Sequence, residues 1–179
     1  VSDAHASGAV NATNTGTYAY TGGLVGEFQN AGDVTDVSAT GNVNATGQHV
    51  GGLIGILKGG NSIEASHARG DVSTAGDTAG GLIGQSVEVS ITDSYARGDV
   101  NSSGKNVGGL VGYTTADITN ASASGDVTST SGNSVGGLIG QWRLNADDGR
   151  FGSSSSALAG HQMVNATASG NVSADNKYV

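Results

Sequence analysis

Small apolar and polar positions alternate in six segments of the chain. Each segment places small or apolar residues at every second position and ends on a valine: Val10, Val43, Val72, Val100, Val127 or Val172. The positions between them are polar or aromatic, such as His67, Arg69 and Asp71 in the third segment. An alternation with a period of two is typical of a β-strand with one buried face. We therefore predict a strand in each segment, with the small residues facing a core.

A second element, Gly-Gly-Leu followed by Ile or Val and Gly, comes after five of these segments. Its leucines recur at a nearly constant spacing: Leu24, Leu53, Leu82, Leu110 and Leu138. The residue directly before the glycines is usually apolar, which predicts a second strand, and a variable third stretch such as Val87–Ile91 closes the repeat. A unit of this length cannot bury its apolar side alone, so neighbouring units must stack. We predict an all-β fold: a parallel β-solenoid (β-helix) of about six coils of roughly 28–29 residues, forming one array over residues 1–179.

The inward columns of the first strand hold alanine and glycine, for example Ala96 and Gly98 in the fourth segment. Such small residues are predicted to leave room for the motif leucines of the opposite wall. Aromatic residues make up only 4% of the chain and 32 residues are glycine, which suits a narrow core. Disorder is the alternative for this composition. A disordered chain, however, would not keep leucine, valine and alanine in fixed columns.

Charge and hydropathy restrict the partners of this segment. A formal net charge of −8, with only 7 Lys and Arg residues, argues against nucleic acid and anionic membranes. No apolar run approaches the roughly 20 residues of a membrane span, so no membrane insertion is expected here. The chain begins at a coil start and ends soon after Val172 without an evident capping repeat. We expect a segment of a longer surface protein, or a solenoid whose open end another subunit or domain completes.

The repeat resembles a known motif. Segments of the form Ser/Ala-x-Ala-x-Gly-Asp/Asn-Val, followed by Val-Gly-Gly-Leu-Ile/Val-Gly, are similar to the GLUG motif of large bacterial and archaeal surface proteins. Hosts of that motif include adhesins of the filamentous haemagglutinin type and bacterial proteases that cleave immunoglobulin A. The resemblance implies an extracellular β-solenoid that serves attachment or display at the cell surface. It transfers no catalytic residue, because any activity of such proteins usually lies outside the repeats.

An insertion interrupts the period near the end of the chain. The stretch from Leu138 to the next coil start, Met163, is more than twice as long as the corresponding stretch of the other copies. Residues 141–161 are therefore predicted to form an inserted loop, and loops of this kind often bind ligands in solenoids. The candidate binding residues suit contact with a glycan or a partner protein: Trp142, Arg143, Asp147, Asp148 and Arg150.

Three further patterns carry candidate chemistry. Asp71, Asp99 and Asp126 form an outward row with one carboxylate per coil, which suits Ca²⁺; a solvated acidic face is the alternative. No other cofactor is expected. Six Asn-x-Ser/Thr sequons are candidate N-glycosylation sites if the protein passes through a glycosylating pathway: Asn11, Asn44, Asn101, Asn120, Asn165 and Asn171.

Two Arg-Gly-Asp tripeptides, beginning at Arg69 and Arg97, match the sequence that integrins bind. An integrin ligand needs an exposed loop tip, whereas both glycines are predicted to lie in an inward column of a strand. We therefore interpret the two tripeptides as parts of the repeat.

The leading hypothesis is a non-catalytic structural or adhesive module of a secreted or cell-surface protein, forming a rigid stalk or filament body. Its expected partners are further copies joined end to end or neighbouring domains of the same polypeptide. Surface glycans and proteins of a host or neighbouring cell are further candidates. No enzymatic activity is expected. The alternative is a carbohydrate-binding or carbohydrate-active β-helix protein that acts through the insertion at residues 141–161.

Overall fold

The computed structural model describes residues 1–13, 16, 18–29, 32–59, 62–143 and 161–175. These residues form β-strands and turns without a helix, and every strand pair is parallel. The chain passes four faces in the same order in each coil, and each face is a sheet built by successive coils. The predicted fold class, an all-β parallel solenoid, is confirmed.

The strands follow this order along the chain. The first two described coils have four strands each: β1 (Ser2–Ala6), β2 (Val10–Ala12), β3 (Tyr20–Gly22), β4 (Val25–Gln29), β5 (Val34–Ala39), β6 (Val43–Ala45), β7 (His49–Gly51) and β8 (Ile54–Lys58). The next three coils have five strands each: β9 (Ser62–Glu64), β10 (His67–Ala68), β11 (Val72–Thr74), β12 (Thr78–Gly80), β13 (Ile83–Val87), β14 (Ser90–Thr92), β15 (Tyr95–Ala96), β16 (Val100–Ser102), β17 (Asn106–Gly108), β18 (Val111–Thr114), β19 (Ile118–Thr119), β20 (Ser122–Ala123), β21 (Val127–Ser129), β22 (Ser134–Gly136) and β23 (Ile139–Trp142). The last described coil contributes β24 (Met163–Val164), β25 (Thr167–Ala168) and β26 (Val172–Ala174).

Four faces result from this order. Face A contains β1, β5, β9, β10, β14, β15, β19, β20, β24 and β25, and face B contains β2, β6, β11, β16, β21 and β26. Face C contains β3, β7, β12, β17 and β22, and face D contains β4, β8, β13, β18 and β23. From the third coil on, each coil contributes two short strands to face A, and one residue in the left-handed region separates them. These residues are Ala65, Asp93, Asn120 and Asn165, each with φ of 49–51°.

The first predicted strand is wrong in one respect: it is not continuous. The column of Gly70 and Gly98 lies in the bend between faces A and B rather than within a strand. A Cβ on Gly98 would lie 2.0 Å from the carbonyl oxygen of Gly70, so coils stack here at backbone distance. The alternation of buried and exposed residues continues through the bend, which is why the sequence pattern resembles a single strand.

The predicted second strand before the glycines is confirmed as the short strand of face C, whereas the remainder of the repeat differs from the prediction. The second motif glycine and the leucine form the corner between faces C and D, and the chain re-enters a strand after the leucine. The predicted closing stretch Val87–Ile91 crosses the corner from face D into the next coil, where Glu88 has φ +58°. Each coil thus has four faces, because the short strands of face C end at the first motif glycine.

Two apolar clusters fill the interior. The larger lies between faces A and D and contains Leu53, Leu82 and Leu110, each with 0% exposure; Leu24 and Leu138 pack against it from the outer coils. The smaller lies between faces B and C and contains Val43, Val72 and their counterparts.

The alanine column of face A meets the glycine motif rather than facing only leucine. A Cβ built on the second motif glycine, Gly81, would lie 2.9 Å from the Cβ of Ala96 in the next coil, and one on Gly52 would lie 3.0 Å from that of Ala68. Opposite walls therefore approach to backbone distance at this point, which requires glycine on one wall and a residue no larger than alanine on the other.

Candidate functional site

Face A carries a compact group of aromatic and cationic side chains on two adjacent coils, hereafter the arginine–aromatic cluster: His67, Arg69, Tyr95 and Arg97. The rings of His67 and Tyr95 stack with centroids 4.7 Å apart and an interplanar angle of 8°. The guanidinium carbon of Arg97 lies 4.7 Å from the Tyr95 centroid, and Arg69 Nη2 donates a 2.9 Å hydrogen bond to the Tyr95 hydroxyl. Tyr95 therefore holds both guanidinium groups.

The cluster is cationic within a chain of formal net charge −8. Arg69 and Arg97 are exposed, and in the described part of the chain neither forms an ion pair with a carboxylate. Partial burial lowers the pKa of His67 below its ordinary value, and the charges of the two arginines lower it further. The positive charge of the cluster therefore belongs mainly to the arginines.

The predicted row of acidic residues is a hydrogen-bonded ladder at the corner between faces A and B, hereafter the corner ladder. The backbone N–H of Asp99 donates to Asp71 Oδ1 at 3.0 Å, and the backbone N–H of Asp126 donates to Asp99 Oδ1 at 2.8 Å. Asn42 and Asn171 extend it, because Asn42 accepts from the Asp71 N–H and the Asn171 N–H donates to Asp126. One side-chain oxygen of Asp71, Asp99 and Asp126 thus binds the next coil.

The candidate Ca²⁺ ligands are the carboxylates of Asp71, Asp99 and Asp126. Among the described residues, no group of three or more His, Asp or Glu side chains has an arrangement that could hold a metal ion. In the ladder, each of these carboxylates accepts a hydrogen bond from a backbone N–H of the next coil. Ca²⁺ binding along the row stays a prediction.

The six sequons fall into two structural groups. Asn11, Asn44 and Asn101 are exposed at equivalent positions of face B, in register with Ser73, Thr128 and Ser173 of the other coils. The other three are hydrogen-bonded between coils through Nδ2: Asn120 donates to Asp93, Asn165 to Asn120, and Asn171 to Asp126. N-glycosylation stays a prediction, and the exposed column of face B offers the better acceptors because a glycan there would break no bond between coils.

The candidate patch in the insertion lies largely outside the described residues. Asp147, Asp148 and Arg150 are not among them. Trp142 ends β23 in register with Thr114, is partly buried, and its Nε1 is buried without a hydrogen-bond partner in the described part of the chain. Arg143 follows with an exposed side chain. The insertion as a binding site stays a prediction.

An imidazole–hydroxyl pair on face C was not expected from the sequence. His49 Nδ1 and Thr78 Oγ1 are hydrogen-bonded at 2.6 Å, and the ring of Tyr20 lies 5.3 Å from that of His49. Burial lowers the pKa of His49 to about 4, and the nearby charge of Lys58 contributes in the same direction. Thr78 is 5% exposed, so its hydroxyl is poorly placed to attack a substrate. The pair joins two coils, as His5 and Ser38 do on face A at 2.8 Å.

The sequence placed His67, Arg69 and Asp71 on the outside, and the structure agrees. The counterpart of His67 in the second coil, Ser38, is instead buried, with 7% exposure. The sequence did not group the members of the cluster, because His67 and Tyr95 lie in different repeats and become neighbours only through the coil register. Aligning the repeats and reading down each outward column would have found the cluster.

No helix among the described residues has the length and apolar character needed to cross a membrane.

Comparisons with known proteins agree with the resemblance seen in the sequence. The family model described as the GLUG motif matches residues 17–44 and 103–128, together less than a third of the chain. Halomucin of Haloquadratum walsbyi (strain DSM 16790 / HBSQ001) is 90% identical to this chain over 39 residues. That stretch is 22% of this chain, and its share of halomucin rounds to 0%. No solved structure shows significant similarity. The chain therefore carries GLUG-type repeats, and it spans a very small part of the relative it matches.

Proposed function

We propose that this chain, an array of stacked repeats of which two match the GLUG motif, is a non-catalytic structural module of a secreted or cell-surface protein. The observation that carries the proposal is the uninterrupted stacking of coils. In the described part of the chain, faces A and B continue through six coils and faces C and D through five, all in parallel register. A shape maintained in this way serves as a rigid stalk or filament body whose length is set by the number of coils.

The side chains that recur along the array support the same role. Motif leucines fill the core, the bend glycines permit close stacking, and the corner ladder joins successive backbones. These three groups of recurring residues thus serve the packing and stacking of the solenoid. The identity with halomucin over 39 residues, a stretch that rounds to 0% of halomucin, is consistent with a much longer protein as host.

The extracellular location is the part of the proposal that one experiment can test directly. Antibodies raised against the folded array should label intact cells that produce the protein, and mild protease treatment of those cells should remove the label. A cytoplasmic protein serves as the control for cell integrity. Labelling that appears only after the cells are lysed would overturn the surface location.

The mechanical role needs a separate measurement on the purified chain. Small-angle X-ray scattering should give an elongated particle whose long axis grows by about 4.8 Å for each coil added by duplication of an internal repeat. Duplication of residues 72–99, which run from one segment valine to the residue before the next, keeps the register of all four faces. A duplicated chain that expands in all directions would contradict a rod-like module.

A further inference from the structure

We propose that two copies of this chain pair side by side along one edge of face A, with the arginines of one copy opposite the corner-ladder carboxylates of the other. Arg69 and Arg97 would contact Asp71 and Asp99, respectively, of the second copy. This lateral contact goes beyond the proposed function, which needs only stacking within one chain.

The two arginines are prepared for an acidic partner. Both are exposed, and neither is neutralised by a carboxylate in the described part of the chain. The contacts with the ring and hydroxyl of Tyr95 draw the guanidinium groups toward Tyr95 instead. A guanidinium held in this way loses less conformational entropy when it pairs, because its long side chain is already ordered.

The carboxylates that would receive them lie in the same copy. Asp71 and Asp99 are exposed, and the corner ladder uses only Oδ1 of each side chain. Their second oxygens are not used in the ladder and can accept charge-assisted hydrogen bonds. The same edge of the solenoid thus carries a cationic column and, two positions further along each coil, an acidic column.

The spacing of the two columns identifies the partner. The register of β10 with β15 places Arg69 and Arg97 at equivalent positions one coil apart, and Asp71 and Asp99 are likewise one coil apart. Coils repeat about every 4.8 Å, so both columns have the same axial spacing. A second copy of the solenoid presents carboxylates at that spacing on a rigid support, so both arginines can be paired at once.

Symmetry then determines the arrangement. A two-fold axis parallel to the solenoid axis exchanges the two columns and brings each coil of one copy opposite the same coil of the other. Arg69 meets Asp71 and Arg97 meets Asp99 in both directions, which gives four ion pairs. Such a contact is isologous and closes at a dimer. Because the ion pairs are exposed, salt should weaken the dimer.

Sedimentation velocity of the full chain, over a range of protein concentration and ionic strength, tests the proposal. The parent should dimerise at high concentration in low salt and dissociate as salt is added. R69Q/R97Q and D71N/D99N should each weaken the dimer about tenfold or more. The asparagine variant keeps the ladder acceptor, because Asn42 already accepts the Asp71 N–H at 2.9 Å in the same column. Unchanged circular dichroism spectra would show that both variants are folded.

The two variants have opposite effects on net charge, which separates specific pairing from general repulsion. D71N/D99N makes an acidic chain less negative, so general repulsion alone would predict stronger association. An equimolar mixture of the two variants should dimerise better than either alone, because the intact arginines of one face the intact carboxylates of the other. A monomeric parent under all conditions, stronger association of D71N/D99N, or no gain in the mixture would each overturn the proposal.

Discussion

The bend glycines between faces A and B provide the sharpest test of the packing. Gly98 lies between β15 and β16, and a Cβ added there would lie 2.0 Å from the carbonyl oxygen and 2.4 Å from the carbonyl carbon of Gly70. Both atoms belong to the backbone, so no side-chain rotation can relieve the contact. In the Gly98→Ala variant the two coils must move apart by roughly 1 Å or more, given an ordinary contact distance of about 3.4 Å or more.

The free-energy cost follows from what this movement breaks. Overpacking of a well-packed interior costs about 1–3 kcal/mol. The movement also stretches two hydrogen bonds: the Asp99 N–H to Asp71 Oδ1 at 3.0 Å and the Val72 N–H to the Asp99 carbonyl oxygen at 2.8 Å. Each is worth about 1 kcal/mol. We expect Gly98→Ala to lower the free energy of unfolding by about 3–5 kcal/mol.

Gly8 offers a matched control in the same column. A Cβ there meets nothing within 4 Å, and its φ is not in the left-handed region. Gly8→Ala should therefore leave stability unchanged or raise it by up to about 1 kcal/mol, because alanine restricts the unfolded chain. Chemical denaturation followed by far-ultraviolet circular dichroism compares both variants with the parent. Equal midpoints for Gly98→Ala and Gly8→Ala would refute the assignment of the bend column.

Four further predictions use other features of the solenoid. Leu82→Ala should cost about 2–5 kcal/mol by opening a cavity, and more than Leu24→Ala in the less buried outer coil; equal losses in thermal denaturation would contradict this. Ala65→Asn should raise stability by about 1 kcal/mol, because alanine is strained at φ +50° and asparagine is not; Ala75→Asn on the surface is the control. His49 titrates near pH 4 in the folded chain and near its ordinary value when unfolded, so its stabilising contribution is complete above about pH 6.5 and is lost as the pH falls toward 4. The full pKa shift corresponds to about 3 kcal/mol, and solvent screening of the partly exposed ring reduces the expected loss of unfolding free energy to about 1 kcal/mol. Denaturation of the parent and of His49→Gln over this pH range measures the loss as the additional pH dependence of the parent. If the row is a solvated acidic face whose carboxylates bind only the backbone of the next coil, EDTA and added Ca²⁺ should leave the melting temperature unchanged; a rise with Ca²⁺ that Asp99→Asn abolishes would instead establish a calcium site.

Much of the architecture could be predicted from the sequence because the same local pattern recurs in several copies of the repeat. The motif leucines and the small residues of the first segment recur often enough to fix the coil length and the buried columns. The bend at Gly98 was not readable, because alternation of buried and exposed residues continues through it. Ser66 is polar but stands in an inward column of the alternation, and it is fully buried as that pattern predicts; its hydroxyl donates to the Glu64 carbonyl oxygen at 2.7 Å.

The surface groups were harder to predict than the core for a physical reason. Neighbours on a solenoid face belong to different coils, and corners of variable length separate them along the chain. His67 and Tyr95, or His49 and Thr78, become neighbours only when the register of every coil is known. The acidic row was found because one residue type repeats in it, whereas the arginine–aromatic cluster combines different residue types in two coils.

The variable corners have a further consequence for how such a protein changes over generations. The distance from each coil start to its segment valine is the same in every copy, whereas the lengths that differ between copies fall at the corners between faces B and C and between faces D and A. Since a coil contacts mainly the coils beside it, recombination between similar repeats can add or delete one unit and leave the cross-section intact. The number of repeats can therefore change the length of the solenoid in steps of about 4.8 Å, while each added coil packs on its neighbours in the same way.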